Sequence, residues 1–512
     1  MGKNVSLSIA AVQQWICVCG NDCALWNPAA ETKPLDMTSV VEMPLWLLVL
    51  LLSLAAIATL DRIIGPGLRW FLRRRMERAV EELNKRLERP IRPFKLMRRQ
   101  DQVIRLIHDP HVMEAVDEYA RTEGVPHNVA FDRARSYARE IVPGFSTATY
   151  FGFAIRVARR LSQGLYKVRL GRGDDQTLRA IDPRSAVVFV MNHRSNMDYV
   201  LVTWLAADRS ALSYAVGEWA RVWPLKALIR ATGAYFIRRR YSSTLYRAVL
   251  ARYVQMSIAE GVTQAMFPEG GLSLNGAVGR ARKGLLHYIV RDFSMGSGRD
   301  VVFVPVALNY DRVLEDRVLL KAAEDGTRRF RVSMGAVLGF VARVLWQKAR
   351  GRFRQFGYAA VCYGTPVSLR AFLENEPGAS TEALADVLMQ RIRAAVPMLP
   401  VPLAAAALVR CEGNTTRDAL IAQGVDLALA LQRKGAYLHL PGTDAAAAMR
   451  AGLDALLLRA IVTENDGRIR IAPGQGATLG YYAASVLQRL AEDDDPARPA
   501  AATLQLPKAG ET

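Results

Sequence analysis

Five cysteines and six histidines in 512 residues leave little material for a disulfide scaffold or a metal centre. Cys17, Cys19 and Cys23 cluster near the start, but their spacing fits no common zinc pattern and no partner pair follows; Cys362 and Cys411 stand apart. Of the histidines, His108, His111, His127, His287 and His439 form no ligand cluster, so neither a metal nor a redox cofactor is implied. No internal repeat occurs. Acidic residues are outnumbered, 48 Asp and Glu against 68 Lys and Arg, which leaves a formal charge of +20. Such an excess calls for an acidic counterpart: nucleic acid, anionic lipid or a phosphorylated substrate. Nucleic acid ranks last, because no aromatic-basic recognition motif accompanies the charge.

What the chain does have is apolar material. A hydrophobic content of 51% excludes general disorder, and the length suffices for two or three domains. Residues 43–60 (MPLWLLVLLLSLAAIATL) carry no charge and match the roughly 17 to 25 residues that cross a bilayer, so a single transmembrane helix is expected there. Arg62, Arg69, Arg73, Arg74, Arg75 and Arg78 follow it, whereas only Lys3 and Lys33 precede it; the positive-inside rule then puts the bulk of the chain on the cytoplasmic side of a membrane. Residues 1–42 are expected to be poorly ordered.

Residues 61–170 read as an arginine-rich helical N-terminal domain, broken at Pro90, Pro110, Pro126 and Pro143. Across 171–400, short apolar runs at 186–191, 234–237, 263–267, 301–308 and 358–363 alternate with helical stretches, the rhythm of an α/β domain. Alanine and leucine at helical spacing then mark 401–492 as a helical C-terminal region, and 493–512 as a disordered tail. The stretch 336–356 mixes Val337, Phe340, Val341, Val344 and Leu345 with Arg343, Lys348, Arg350, Arg352 and Arg354. It reads equally as a helix lying on an anionic bilayer or as a solvated helix packed on the core.

The chemistry centres on Asn192-His193-Arg194-Ser195-Asn196-Met197-Asp198-Tyr199. The strand-like run 186–191 ends there and a helix begins, so His193 falls on a strand-to-helix turn. Asp198, in the first helical turn, can hold one ring nitrogen and leave the other free as a general base. Ser195 is close enough to suggest an acyl carrier, with helix capping as the plainer role. Further along, Arg238 and Arg239 end the run Gly233-Ala234-Tyr235-Phe236-Ile237-Arg238-Arg239 and suit a phosphate, whose oxygens a guanidinium binds through paired donors. In Phe267-Pro268-Glu269-Gly270-Gly271-Leu272-Ser273, Gly270 and Gly271 let the backbone approach a ligand, to cradle phosphate or polarise a developing oxyanion. Pro305, in Val304-Pro305-Val306-Ala307-Leu308, is expected to end or bend the last core strand and shape the pocket.

These four segments, in this order, resemble the glycerolipid acyltransferases, and within that superfamily the membrane-associated bacterial and mitochondrial glycerol-3-phosphate acyltransferases. The resemblance covers roughly residues 90 to 490. It implies a mixed α/β sheet flanked by helices, with helical N- and C-terminal regions. It also implies transfer of a fatty acyl group from acyl-CoA or acyl carrier protein to the sn-1 hydroxyl of glycerol 3-phosphate, giving lysophosphatidate. The thioester is a co-substrate, anionic membrane lipid a partner, and no cofactor is required. His193 and Asp198 are the implied catalytic pair; Arg238, Arg239, Glu269, Gly270, Gly271, Ser273, Arg282 and Pro305 are the implied substrate contacts. Leu272 and Leu274 stand where the family usually has arginines that are implicated in binding the acceptor phosphate, and Arg280, Arg282 and Lys283 can supply the lost charge. Lysophosphatidate and dihydroxyacetone phosphate are therefore alternative acceptors, and a non-catalytic, lipid-binding role is the alternative from another class.

Overall fold

The computed structural model describes residues 44–171, 178–207, 210–217, 225–238, 243–296, 298–326, 334–441 and 444–491. The segment 1–42 with its three cysteines, Arg239, and the tail 493–512 lie outside the described residues.

The chain divides into two units, one up to Glu77 and one from Arg78 onward. The uncharged stretch at 43–60 is not an element of its own: one helix, Leu45–Arg86, runs through it and on into the arginine-rich segment. Among the described residues no helix is long and apolar enough to cross a membrane, so the expected transmembrane span, and the cytoplasmic placement argued from it, are corrected.

In the second unit, helices Pro110–Glu123 and His127–Ile141 precede the sheet. The first is capped by Asp109, which accepts from His111 N at 3.1 Å, and stops at Gly124 in the left-handed region (φ 63°). The second buries Ala130, Ala134, Ala138 and Ile141, one stripe at helical spacing.

The main sheet is mixed and has eight strands: β1 (Lys167–Leu170), β2 (Ala186–Met191), β3 (Ser213–Val216), β4 (Tyr235–Phe236), β5 (Gln264–Met266), β6 (Val301–Tyr310), β7 (Tyr358–Tyr363) and β8 (Val367–Ser368). Their order is β1-β7-β6-β2-β5-β3-β4, with β8 also on β6. The α/β expectation holds, and all five expected runs supply strands; β1, β3 and β8 come from segments too short or too polar to stand out. β2 and β6 are buried along their whole length, in keeping with their unbroken apolar character. β2 pairs in parallel with β5 and β6, and β3 with β4 and β5, so these five strands end at one edge of the sheet.

Pro305 does not end its strand. It sits inside β6 opposite Val190, and on its other side β6 changes partner from β8 (at Val302 and Phe303) to β7 (from Val306). The missing N–H falls in that seam, while the Pro305 carbonyl still accepts from Gly364 N at 2.9 Å.

The helical C-terminal region is built around the helix Pro400–Arg410, which is buried from Pro400 to Leu408. It packs against Arg417–Arg433, Ala445–Leu458 and Gly476–Ala491. Its run of alanines and Gly452 opposite Pro400 O permit that close approach. A small antiparallel sheet, β9 (Asn414–Thr416), β10 (Val462–Asn465) and β11 (Arg468–Ile471), which the alanine-leucine pattern did not announce, sits among these helices.

Candidate active site

The turn after β2 begins with Asn192, whose side chain grips the Leu308 main chain on β6: Nδ2 donates to the carbonyl at 3.0 Å and Oδ1 accepts from the N–H at 2.8 Å. His193 follows, and Asp198 lies in the first turn of the helix Met197–Leu205. The two side chains are 3% and 0% exposed and meet at 2.9 Å between Nδ1 and Oδ2. The same Oδ2 accepts from Arg194 N at 2.7 Å and Ser195 N at 3.0 Å, while Oδ1 accepts from the Tyr310 hydroxyl at 2.6 Å. Four donors hold this buried carboxyl group in one orientation. Phe267 stacks on the imidazole at 4.2 Å and Tyr199 meets it edge-on at 5.4 Å, which fixes the ring. Among the described residues no hydrogen bond engages His193 Nε2.

Ser195 is fully buried. Its hydroxyl donates to Glu315 at 2.7 Å and accepts from Met197 N at 3.1 Å, two bonds that engage it within the turn rather than leave it an open nucleophile. Glu315 also accepts from Asn196 N (3.1 Å) and Asn196 Nδ2 (3.0 Å), and burial raises its carboxyl above the ordinary range.

After β5, Glu269 turns inward and joins two loops through main chain: Oε1 accepts from His193 N at 2.9 Å, and Oε2 from Gly279 N at 3.0 Å. Burial raises its carboxyl above the ordinary range, and these bonds, with the nearby His193 and Arg194, offset only part of that rise. Ser273 N donates to the His193 carbonyl at 2.8 Å, so the loop is stitched to the turn twice. Gly270 is left-handed (φ 69°), and a Cβ there would stand 2.7 Å from Arg282 Cδ. Leu272 is buried and Leu274 packs on the core, filling with apolar bulk the positions at which the resemblance leads one to expect cations.

Two cavities open beside this loop. One of about 440 Å³ is lined by Glu269, Ser273, Asn275, Arg280 and Arg282, and one of about 230 Å³ by Arg238, Arg247, Arg282, Phe267 and Leu250. Arg282 borders both; Lys283 is tied to Glu382. Arg238 reaches the smaller cavity with its guanidinium already paired, Nε to Glu140 Oε1 at 3.0 Å and Nη2 to Glu140 Oε2 at 2.6 Å. That carboxylate raises its pKa further and occupies the donors that a phosphate would need.

His193, Asp198, Glu269, Gly270 and Ser273 are thus brought together, Gly271 and Arg282 line the cavity next to them, Arg238 stands further round the rim, and Pro305 lies in the sheet. Sequence reasoning passed over Tyr310, Glu315, Arg194 and Gln488. Arg194 is buried, donates from Nη1 to the Gly276 carbonyl and lies 4.9 Å above the Tyr481 ring. Gln488, in the last described helix, grips Val278 from both sides, Oε1 to its N–H at 2.9 Å and Nε2 to its carbonyl at 3.0 Å. The signal for Arg194 lay inside the His193 motif; the others carry none in local pattern.

A buried histidine-carboxylate pair thus lies at the carboxyl ends of parallel strands, beside arginine-rimmed cavities. The family model described as Acyltransferase matches residues 174–309, and that described as Glycerol-3-phosphate acyltransferase C-terminal region matches 343–493. Over these two regions the chain is similar to the glycerolipid acyltransferases. More particularly, it is similar to glycerol-3-phosphate acyltransferases of Pseudomonas entomophila (strain L48; 29% identity, 76% of this chain and 48% of the relative), Ectopseudomonas mendocina (strain ymp; 30%, 76% and 48%) and Pseudomonas aeruginosa (strain UCBPP-PA14; 28%, 80% and 52%). The chain spans about half the length of the curated relatives it matches. The crystal structure of the 1-acyl-sn-glycerophosphate (LPA) acyltransferase PlsC from Thermotoga maritima aligns with 57% of this chain and 94% of that one, at 16% identity and a TM-score of 0.30, too distant to bear on the site.

Proposed function

We propose that this chain transfers a fatty acyl group from acyl-CoA or acyl carrier protein to the sn-1 hydroxyl of glycerol 3-phosphate, forming lysophosphatidate. The observation that carries the reading is the buried His193–Asp198 pair, joined at 2.9 Å with Nε2 unengaged among the described residues. His193 Nε2 takes the acceptor's hydroxyl proton as that oxygen attacks the thioester carbonyl; the C–S bond then breaks and the thiolate leaves with the proton from the imidazolium. Asp198 orients the ring and stabilises its charged form. Arg282, at the border of both cavities, is the cation we assign to the acceptor phosphate, with Arg238 and Arg239 as further contacts once Arg238 exchanges Glu140 for phosphate. The glycerol-3-phosphate acyltransferase relatives favour this acceptor; Leu272 and Leu274 keep lysophosphatidate and dihydroxyacetone phosphate as rivals.

Labelled acyl-CoA and acyl carrier protein, offered to purified protein with those three acceptors, decide among them. Turnover with glycerol 3-phosphate at the highest kcat/KM is the expected result, and a preference for lysophosphatidate would sink the assignment. We further propose anionic lipid as a partner of the basic stretch, where Lys348, Arg350, Arg352 and Arg354 are exposed beside Trp346. Sedimentation with anionic and neutral liposomes tests this, and equal binding to both would count against it.

A further inference from the structure

The Asp198 carboxylate is held by two separate parts of the chain. Oδ2 serves the turn itself, accepting from His193 Nδ1, Arg194 N and Ser195 N. Oδ1 has a single partner among the described residues, the Tyr310 hydroxyl at 2.6 Å, delivered by the last residue of β6 from 112 positions away. Without that donor a fully buried oxygen would lie unsatisfied, and the carboxylate could turn about its Cβ–Cγ bond to share its two oxygens among three donors. β6 is well suited to the task, since two residues earlier its Leu308 is clamped by Asn192 at the start of the same turn. Tyr310 is itself fixed: it is wholly buried, and its ring packs on that of Tyr166 at 5.5 Å. Burial and the neighbouring Asp198 charge keep its hydroxyl protonated far above the usual phenol range, so its O–H stays available to the carboxylate.

We propose that Tyr310 is a positioning residue for acyl transfer: its hydroxyl locks the Asp198 carboxylate so that Oδ2 faces His193 Nδ1. This rests on the reading of His193 as the base. The hydroxyl also draws charge from the carboxylate, so its removal makes Asp198 the stronger acceptor and the imidazolium harder to deprotonate. Among the described residues the other charged or titratable groups that face the pair are Arg194, Tyr199, Glu269, Glu315, Tyr166 and Tyr481.

Tyr310→Phe, which keeps the ring, is expected to lower kcat about tenfold, leave both Michaelis constants within about twofold, and move the acid limb of the kcat profile upward by about one pH unit. Tyr166→Phe, an equally buried hydroxyl that donates to the Arg312 carbonyl instead, should leave that limb in place. In an Asp198→Asn background Tyr310→Phe should add nothing further. A Tyr310→Phe profile that overlays the wild type, or a full additional loss on Asp198→Asn, overturns the proposal. If Tyr310→Phe alone fails to fold, a double variant that does fold supports the link to Asp198, and one that also unfolds overturns it. The upward shift is read without turnover from the titration of the His193 ring in ¹³C-histidine protein, its signal assigned by loss in His193→Asn. Failure of wild-type acyl transfer would therefore defeat the functional reading separately, while an unmoved ring titration would defeat the role of Tyr310.

Discussion

The turn after β2 and the arginine rim beyond β4 and β5 occupy the same edge of one sheet and are built by opposite means. In the turn, every polar group that touches His193 or Asp198 is buried and bonded: Glu269 holds the His193 main chain, Tyr310 and two backbone N–H groups hold Asp198, and Glu315 holds Ser195 and Asn196. The rim is open. Arg280 and Arg282 are exposed, and the Arg238 side chain is 35% exposed and leans on Glu140. Proton transfer demands a fixed distance and angle, which only a dry, over-determined setting supplies; holding a phosphate demands charge, which works at longer range and tolerates movement.

Three substitutions sharpen or break that contrast. His193→Ala should lower kcat about a thousandfold, within the range that a general base contributes, and leave the thioester Michaelis constant within about threefold; a residual rate within tenfold of wild type would remove His193 from the chemistry. Glu269→Gln places an amide N–H against one of the two main-chain donors that the carboxylate now receives. We expect it to lower kcat by about 10- to 100-fold, the equivalent of about 1–3 kcal/mol for an unmade buried bond, and thermal melts should fall with it. Arg282→Ala should raise the Michaelis constant of the phosphorylated acceptor about tenfold with kcat within about twofold, and the constant for wild type should climb with salt as exposed charge is screened. A drop in kcat with an unchanged constant would mean that the rim and the turn act as one device.

The α/β architecture was legible because the strand cores are unbroken apolar runs, and the histidine-aspartate pair because a five-residue offset across a strand-to-helix turn is a local pattern. Glu269 was expected as a substrate contact, whereas the structure shows it bracing main chain through two hydrogen bonds. Tyr310 and Glu315 were invisible, since each acts across more than a hundred positions and nothing in its neighbourhood marks it. Arg238 shows the converse. Its place after a strand suggested a free phosphate grip, yet Glu140, from the helix His127–Ile141, holds the donors. The expected membrane span misled because an uncharged run was judged on its own, whereas among the described residues no helix is long and apolar enough to cross a membrane.

The grip of Gln488 on Val278 joins positions 210 residues apart in sequence. Val278 adjoins Gly279, whose N–H meets Glu269, which in turn meets His193. A ribosome therefore releases the histidine motif, the glycine loop and β6 long before it releases the side chain that steadies the loop between them. During synthesis the chain carries the chemical groups for its reaction without their final brace, and the last described helix acts as a time stamp: the loop is fastened only when the C-terminal region has been made and folded.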